Sequence, residues 1–270
     1  MVIKLEKRAL GSTGIMVSPL GLGTVKFGRN EGVKYPTKFD LPDEKSLMRL
    51  LDVAREHGIN LLDTAPAYGI SEERLGRLLF GRRQDWVIVG KAGEDFENGE
   101  SVYHFTPQYF ELSVQRTLRR LHTDHLDVLL IHSDGNDEKI LANEGLIETM
   151  HDFKKRGIVR AVGASTKTIA GGLKALEVMD VAMVTYNPSY TDEKPVLDYA
   201  AAHNKGILLK KALASGHINV FDSKDPVQTA MDFAFAHKGV GAMIVGTINL
   251  DHLRHNVKAA RQALSSASAA

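Results

Sequence analysis

The stretch Gly58-Ile59-Asn60-Leu61-Leu62-Asp63-Thr64-Ala65-Pro66-Ala67-Tyr68-Gly69 decides the fold. Ile59 to Leu62 is a short, mostly apolar run and predicts a buried strand. Gly58 ends the helix before it, and Pro66 and Gly69 impose a loop after it. Asp63 stands where the strand stops, and Tyr68 follows in the loop. A carboxylate at the mouth of a buried strand with a phenol close behind is a candidate proton-handling pair. The same two residue types also serve as a turn former and an amphipathic packing group. The pair gains meaning only if other strands deliver matching groups to the same end.

Outward from this stretch the pattern repeats. Helical periodicity starts near Glu44, with Leu47, Leu50, Leu51 and Ala54 on one face. Strands are expected at 17–22, 59–63, 86–90, 125–131, 158–163, 181–186, 206–210 and 240–245. Helices are expected at 71–80 (Ser71 as its cap), 107–121, 143–156, 168–178, 193–204, 226–237 and 249–263. Gly11 and Gly14 mark a small hairpin within residues 1–15. Residues 29–43 and 92–106 are polar and predict loops, and the small-residue tail 264–270 is expected to fray. Eight strand–helix units without a composition break imply right-handed crossovers and a parallel sheet. They fit a single (β/α)₈ barrel domain over residues 1–270 with a short N-terminal hairpin. A doubly wound sheet would place a Gly-rich dinucleotide turn between its first strand and a helix, whereas here Gly21-Leu22-Gly23 runs into a loop.

Composition sets limits. Of 270 residues, 43% are hydrophobic and 25% charged, with a net charge of +1, so nothing points to nucleic acid or an anionic membrane. The absence of cysteine excludes disulfides, zinc–thiolate sites and thiol catalysis. The start Met1 to Arg8 is charged too early for a signal peptide, and no apolar run is long enough to span a bilayer. A cytoplasmic protein is the expectation.

In such a barrel the site lies at the C-terminal ends of the strands. Those ends carry Thr24 and Lys26, Asp63 and Tyr68, Lys91, His132, Ser165, Asn187, Lys210 and Lys211, and Thr247. Asp63, Lys91 and His132 fall at three successive strand ends, which would bring them together with Tyr68. A Lys cation favours a phenolate and is expected to lower the value of Tyr68 from ~10. Asp63 would hold Lys91, and His132 could donate to a substrate carbonyl oxygen. The set suits proton delivery to a developing alkoxide and has too few ligands for a metal. No side chain supplies the nucleophile that a protonated carbonyl requires, which favours an external hydride donor such as a nicotinamide cofactor. Gly246-Thr247-Ile248-Asn249 opens onto a helix whose free N–H groups can hold phosphate, and Lys210 to Gly216 adds cations and small residues beside it.

Along nearly its whole length the chain resembles the aldo-keto reductase family. The resemblance is carried by Gly21-Leu22-Gly23-Thr24, Asp63-Thr64-Ala65 with Tyr68-Gly69 and Ser71-Glu72, Gly90-Lys91, Ile131-His132, Val162-Gly163-Ala164-Ser165, Tyr186-Asn187-Pro188, and Val245-Gly246-Thr247 through Asn256. It implies a (β/α)₈ barrel and NAD(P)H-dependent reduction of aldehydes and ketones. It implies Tyr68 as general acid, Lys91 tuning it, Asp63 pairing with Lys91, and His132 orienting the carbonyl. It further implies a cofactor site of Gly23, Thr24, Asp63, Ser165, Thr166, Lys210, Lys211, Leu213, Ser215, Gly216, Gly246, Thr247, Asn249, His252 and Asn256, with Ser165 at the nicotinamide amide and Gly246, Thr247, His252 and Asn256 around the adenosine end.

The chain departs from the family's pattern at Thr166 (usually Asn), Met183 (usually Gln), Lys210 (often an aromatic), and Gly246 and His252 (often Lys and Arg). His252, Asn249 and Lys211 retain phosphate-binding capacity, so NADPH is favoured over NADH. The chain stops soon after its last helix, where many members carry a pocket-closing loop; an open site is expected unless 29–43 or 92–106 acts as the lid. Two other readings stay open: a Schiff-base aldolase or lyase using Lys91 or Lys210, and a non-catalytic nucleotide-sensing subunit.

Overall fold

A computed structural model describes residues 3–269. Its twelve strands are β1 Arg8–Ala9, β2 Met16–Val17, β3 Leu20–Gly23, β4 Leu61–Asp63, β5 Val87–Ala92, β6 Glu94–Glu97, β7 Glu100–Tyr103, β8 Leu126–His132, β9 Val159–Ser165, β10 Val181–Thr185, β11 Gly206–Lys210 and β12 Ala242–Val245. Its helices are α1 Val25–Gly28, α2 Glu44–Glu56, α3 Ser71–Leu78, α4 Pro107–Leu121, α5 Asp137–Leu141, α6 Glu144–Lys155, α7 Ile169–Val178, α8 Lys194–His203, α9 Pro226–Phe235 and α10 Leu250–Ala269. Eight strands close a parallel barrel in the order β10, β11, β12, β3, β4, β5, β8, β9. The (β/α)₈ expectation holds. No helix among the described residues is long and apolar enough to cross a membrane.

Two apolar layers hold the barrel. The inner one is made of Leu61, Val87, Val89, Val128, Leu130, Ala161, Val181, Met183, Leu208 and Ala242, every second residue of most strands. The outer layer packs strands against helices through residues such as Leu62, Ile88, Leu129, Leu75, Phe110 and Phe153. Each such side chain contributes about 1.5–3 kcal/mol relative to exposure. Met183 is one of the inner-layer residues, which accounts for an apolar side chain at that position. Asp127, charged in mid-strand, belongs to the outer layer and serves structure: it accepts from Ile88 N at 2.8 Å, Arg83 at 3.0 Å and Arg160 at 2.7 Å.

The N-terminal hairpin pairs Arg8 with Val17 and Ala9 with Met16. Leu10 and Ile15 close the floor of the barrel, with Leu10 lodged against Gly206 and Gly241 at the strand starts. Val17 therefore belongs to this hairpin, and the first barrel strand starts only at Leu20. Ser18-Pro19 separates the two: Pro19 lacks an N–H, while Ser18 is tied to Asn60 and to the carbonyl of Leu20.

Other expectations shift for local reasons. Ser71 is the first residue of α3, not its cap; its hydroxyl donates to Thr24 Oγ1 at 2.7 Å. The helix expected at 143–156 starts at Glu144, capped by Asn143, behind a separate short helix α5. The segment 92–106 is not a plain loop, because β6 and β7 form an antiparallel hairpin within it. The tail continues α10 through Ala269, its first exposed residues being Ser265 and Ser266.

Candidate active site

The C-terminal rim collects the expected groups. Register places Gly23 beside Asp63, Asp63 beside Val89, Lys91 beside Leu130, and His132 beside Ser165. Asp63 is the last residue of β4, and the buried Lys91 lies inside β5 with its side chain directed to Asp63. The Lys91 ammonium contacts Asp63 Oδ1 directly and donates to the Thr64 carbonyl and Tyr68 Oη, both at 3.1 Å. Tyr68 Oη donates to Asp63 Oδ2 at 3.4 Å. The ring of His132 meets that of Tyr68 edge-on, with centroids 6.2 Å apart. The four candidate catalytic residues thus form one cluster.

The chain around Tyr68 is fixed by two close backbone approaches. Gly69 adopts φ +60°, and a Cβ there would lie 2.2 Å from Gly28 O; a Cβ at Gly28 would lie 2.5 Å from Tyr68 O. Only glycine fits either place. Thr24 anchors the other side: its N–H and its hydroxyl both donate to Asp63 O at 2.9 Å. The buried Thr24 hydroxyl is thereby occupied, and what it positions is Asp63.

Burial pushes the Tyr68 phenol well above its ordinary value, with Asp63, Tyr35 and Glu94 acting in the same direction. The downward shift expected from Lys91 does not win, because the adjacent Asp63 carboxylate compensates the ammonium. Tyr68 is held as the protonated phenol, the form a proton donor needs. Burial also moves His132 below its ordinary value; Glu94 opposes this, and Lys91 and Lys210 reinforce it.

The remaining candidates continue around the rim. Lys210, at the end of β11, donates to Ser165 Oγ at 3.0 Å and to the Thr166 carbonyl. Burial draws Lys210 down to about 8, with Glu193 pulling the other way. Thr166 is fully buried, and its hydroxyl has no hydrogen-bond partner. An orphaned hydroxyl beside Ser165 fits a ligand amide, so this rim fits the nicotinamide end of a dinucleotide. Lys211, Ala214 and Ser215 have φ of 52°, 46° and 56°, followed by Gly216 at 92°. Such left-handed conformations cost about 1–3 kcal/mol each in non-glycine residues and cluster at ligand loops. Leu213 lies half-buried in this loop.

At the end of β12, Thr247 Oγ1 accepts from Asn249 N, and Asn249 Oδ1 accepts from the N–H groups of Asp251 and His252. These donors are taken up by the helix's own caps, whereas the sequence suggested they were free. Gly246 is exposed, His252 is exposed, and Asn256 is buried on α10. Residues 29–43 lie over this side: a Cβ at Gly246 would meet Tyr35 Oη at 2.9 Å, and one at Gly216 would meet Pro36 at 3.2 Å. Lys26 Nζ sits 4.1 Å from the Tyr35 ring centroid. The β6–β7 hairpin instead lines the catalytic side, where Glu94 Oε2 lies 2.9 Å from His132 Nδ1.

The family model described as aldo/keto reductase matches residues 19–228. The chain belongs to the aldo-keto reductase family. Members of the family are oxidoreductases that use nicotinamide cofactors on small carbonyl compounds. A crystal structure of a Pseudomonas aeruginosa protein assigned to the same family is 52% identical, with a TM-score of 0.89 over 97% of this chain and 98% of that one. The oxidoreductase YqkF of Bacillus subtilis is 26% identical over 95% of this chain and 91% of its own. The holo form of aldo-keto reductase AKR11C1 from Bacillus halodurans, 24% identical, shares the fold with a TM-score of 0.76 over 97% of this chain and 96% of that one.

Two functional candidates were missed from sequence. Glu94 is signalled only by an acidic residue three positions after Lys91 in a segment expected to be a loop. Glu193, the residue before α8, lies in the field of Lys210 and carries no motif of its own.

Proposed function

We propose that this aldo-keto reductase reduces small aldehydes or ketones to alcohols with NADPH, or alternatively NADH, using Tyr68 as general acid. The observation that carries the reading is the single buried cluster in which Lys91 touches both Asp63 and Tyr68. When bound, a nicotinamide cofactor supplies hydride to the carbonyl carbon. Tyr68 delivers a proton to the developing alkoxide. Lys91, neutralised by Asp63, holds the phenol by a hydrogen bond and stabilises its charge as the proton leaves. His132 lies across the Tyr68 ring, where it can contact the same oxygen. Ser165, Thr166 and Lys210 would receive the nicotinamide end, and the loops at Lys211 to Gly216 and Gly246 to His252 the phosphates. Exposed Lys211 and His252 favour the phosphorylated cofactor. The Schiff-base alternative is less well supported, since Lys91 is ion-paired and Lys210 is engaged by Ser165 and Thr166.

Calorimetry with NADPH and NADH on wild type and Tyr68→Phe tests this, followed by cofactor oxidation with a panel of small aldehydes. Both proteins are expected to bind cofactor, with turnover in Tyr68→Phe lower by ~10²–10⁴-fold. Failure of both cofactors to bind wild type would overturn the reading.

A further inference from the structure

The wall of the catalytic pocket holds a carboxylate to which the reductase chemistry above gives no role. Glu94 is buried at the start of β6, and both of its oxygens are engaged. Oε1 accepts from Ser101 Oγ at 2.6 Å across the hairpin, and Oε2 lies 2.9 Å from His132 Nδ1. That nitrogen is fully buried; Glu94 lies at ion-pair distance from it without completing a hydrogen bond in this structure, and no other group pairs with it. The other nitrogen, Nε2, makes no hydrogen bond to any described residue, while the ring lies edge-on to Tyr68. Nε2 is therefore the atom left to meet a ligand.

Imidazole chemistry then constrains what His132 can do. An ionised carboxylate only accepts, so Nδ1 must carry the hydrogen that faces it. A neutral ring of that tautomer has a lone pair at Nε2. It can accept from an alcohol O–H but repels the lone pairs of a carbonyl oxygen. Only the imidazolium offers a donor there. Lys91 of β5 and Lys210 of β11 face the ring and disfavour that cation, burial does the same, and Glu94 opposes all three. Tyr68 is the other titratable neighbour, its ring centroid 6.2 Å from that of the imidazole. Glu94 remains ionised: burial works against it, yet His132, Ser101 and Arg29 hold it at about 2. Tyr103 also faces it from β7.

We infer that Glu94 is a positioning residue that fixes His132 as the Nδ1–H tautomer and sustains its protonated form, so that the carbonyl substrate is held by imidazolium and the alcohol by neutral imidazole. This rests on the reductase reading for its substrates but not for the tautomer itself. The proton that reaches the alkoxide still comes from Tyr68; His132 lends a hydrogen bond during that step, and its own proton leaves afterwards, to the tyrosinate or to solvent, before neutral imidazole holds the alcohol.

Two measurements test it. Nitrogen-15 NMR of the full chain at pH 8, with His132 assigned by loss of its signals in His132→Asn, is expected to show a protonated Nδ1 and a bare Nε2. A protonated Nε2 in the neutral ring would overturn the inference, whatever the cofactor experiments give. The pH profile of kcat/KM for aldehyde reduction is then compared in wild type, Glu94→Gln and Glu94→Asp. Reduction should fall as pH rises through the His132 titration, and Glu94→Gln should move that fall to lower pH by about one unit or more. Glu94→Asp should restore much of the shift, and cofactor affinity by calorimetry should be unchanged in both variants. Coincident profiles for wild type and Glu94→Gln would also overturn it. If Glu94→Gln does not fold, the wild-type spectrum alone decides.

Discussion

Asp63–Lys91 and Glu193–Lys210 are both carboxylate–lysine couples at the barrel mouth, built in opposite ways. In the first, the ammonium touches the carboxylate directly and spends its other donors on Thr64 and Tyr68. In the second, Lys210 donates to a hydroxyl and a carbonyl, while Glu193 accepts from Thr185 N at 3.1 Å and leaves Oε2 buried without a partner. Contact compensates burial in the first couple. Without contact, burial draws Lys210 toward its neutral form and raises Glu193. Similar residues in similar surroundings thus give a contact ion pair beside Tyr68 and a lysine without ion-pair contact, shifted by burial, on the opposite side of the rim.

The largest effect that would sharpen this contrast comes from breaking the tight pair. Lys91→Met leaves Asp63 buried and unpaired, and should destabilise the fold by about 3–5 kcal/mol in urea denaturation while abolishing turnover. Asp63→Asn/Lys91→Met should regain most of that stability and none of the activity. Equal destabilisation of the single and double variants would show that the contact does not compensate burial.

The looser couple should appear as a pH effect. Folded Lys210 titrates at about 8, whereas an unfolded lysine titrates near ~10.4. Between those values the unfolded chain binds more protons, so stability should rise with pH across this window. Lys210→Met should remove the part of the rise due to this residue, roughly 1–3 kcal/mol. Parallel stability curves for the two proteins would place the amine in an ordinary environment. The smallest effect is expected at Thr166→Val, which removes the unpartnered hydroxyl. Stability should be unchanged or higher by up to about 1 kcal/mol, and cofactor affinity lower by a few-fold. Unchanged affinity would disconnect Thr166 from the ligand.

The barrel was legible because its signal is repeated: eight apolar runs, each followed by helical periodicity, survive errors in any one of them. Boundaries were less legible. Pro19 breaks hairpin from barrel without interrupting the apolar run, and β5 continues through Lys91 because that lysine is buried by its ion pair. The β6–β7 hairpin did have a signal, since Asn98-Gly99 is the dipeptide that two-residue hairpin turns demand, and both residues have positive φ. Its polar flanks concealed it. That Asp63, Tyr68, Lys91 and His132 come together could be anticipated from strand ends alone. The partners Glu94 and Glu193 could not, because each reaches the rim from a connecting segment whose path the strand pattern does not specify.

The floor formed by Leu10 and Ile15 makes the barrel a blind well. Below the Asp63–Lys91 pair the inner layer is entirely apolar, from Val89 and Leu130 down to Val87 and Val181. Among the described residues of that layer, no hydroxyl, carboxylate or amide stands there to relay a proton. On the proposed mechanism, protons would therefore reach Tyr68 only from the rim, on the side of His132 or a bound ligand. On that mechanism the opening that admits the reactants would also set how quickly the acid is recharged.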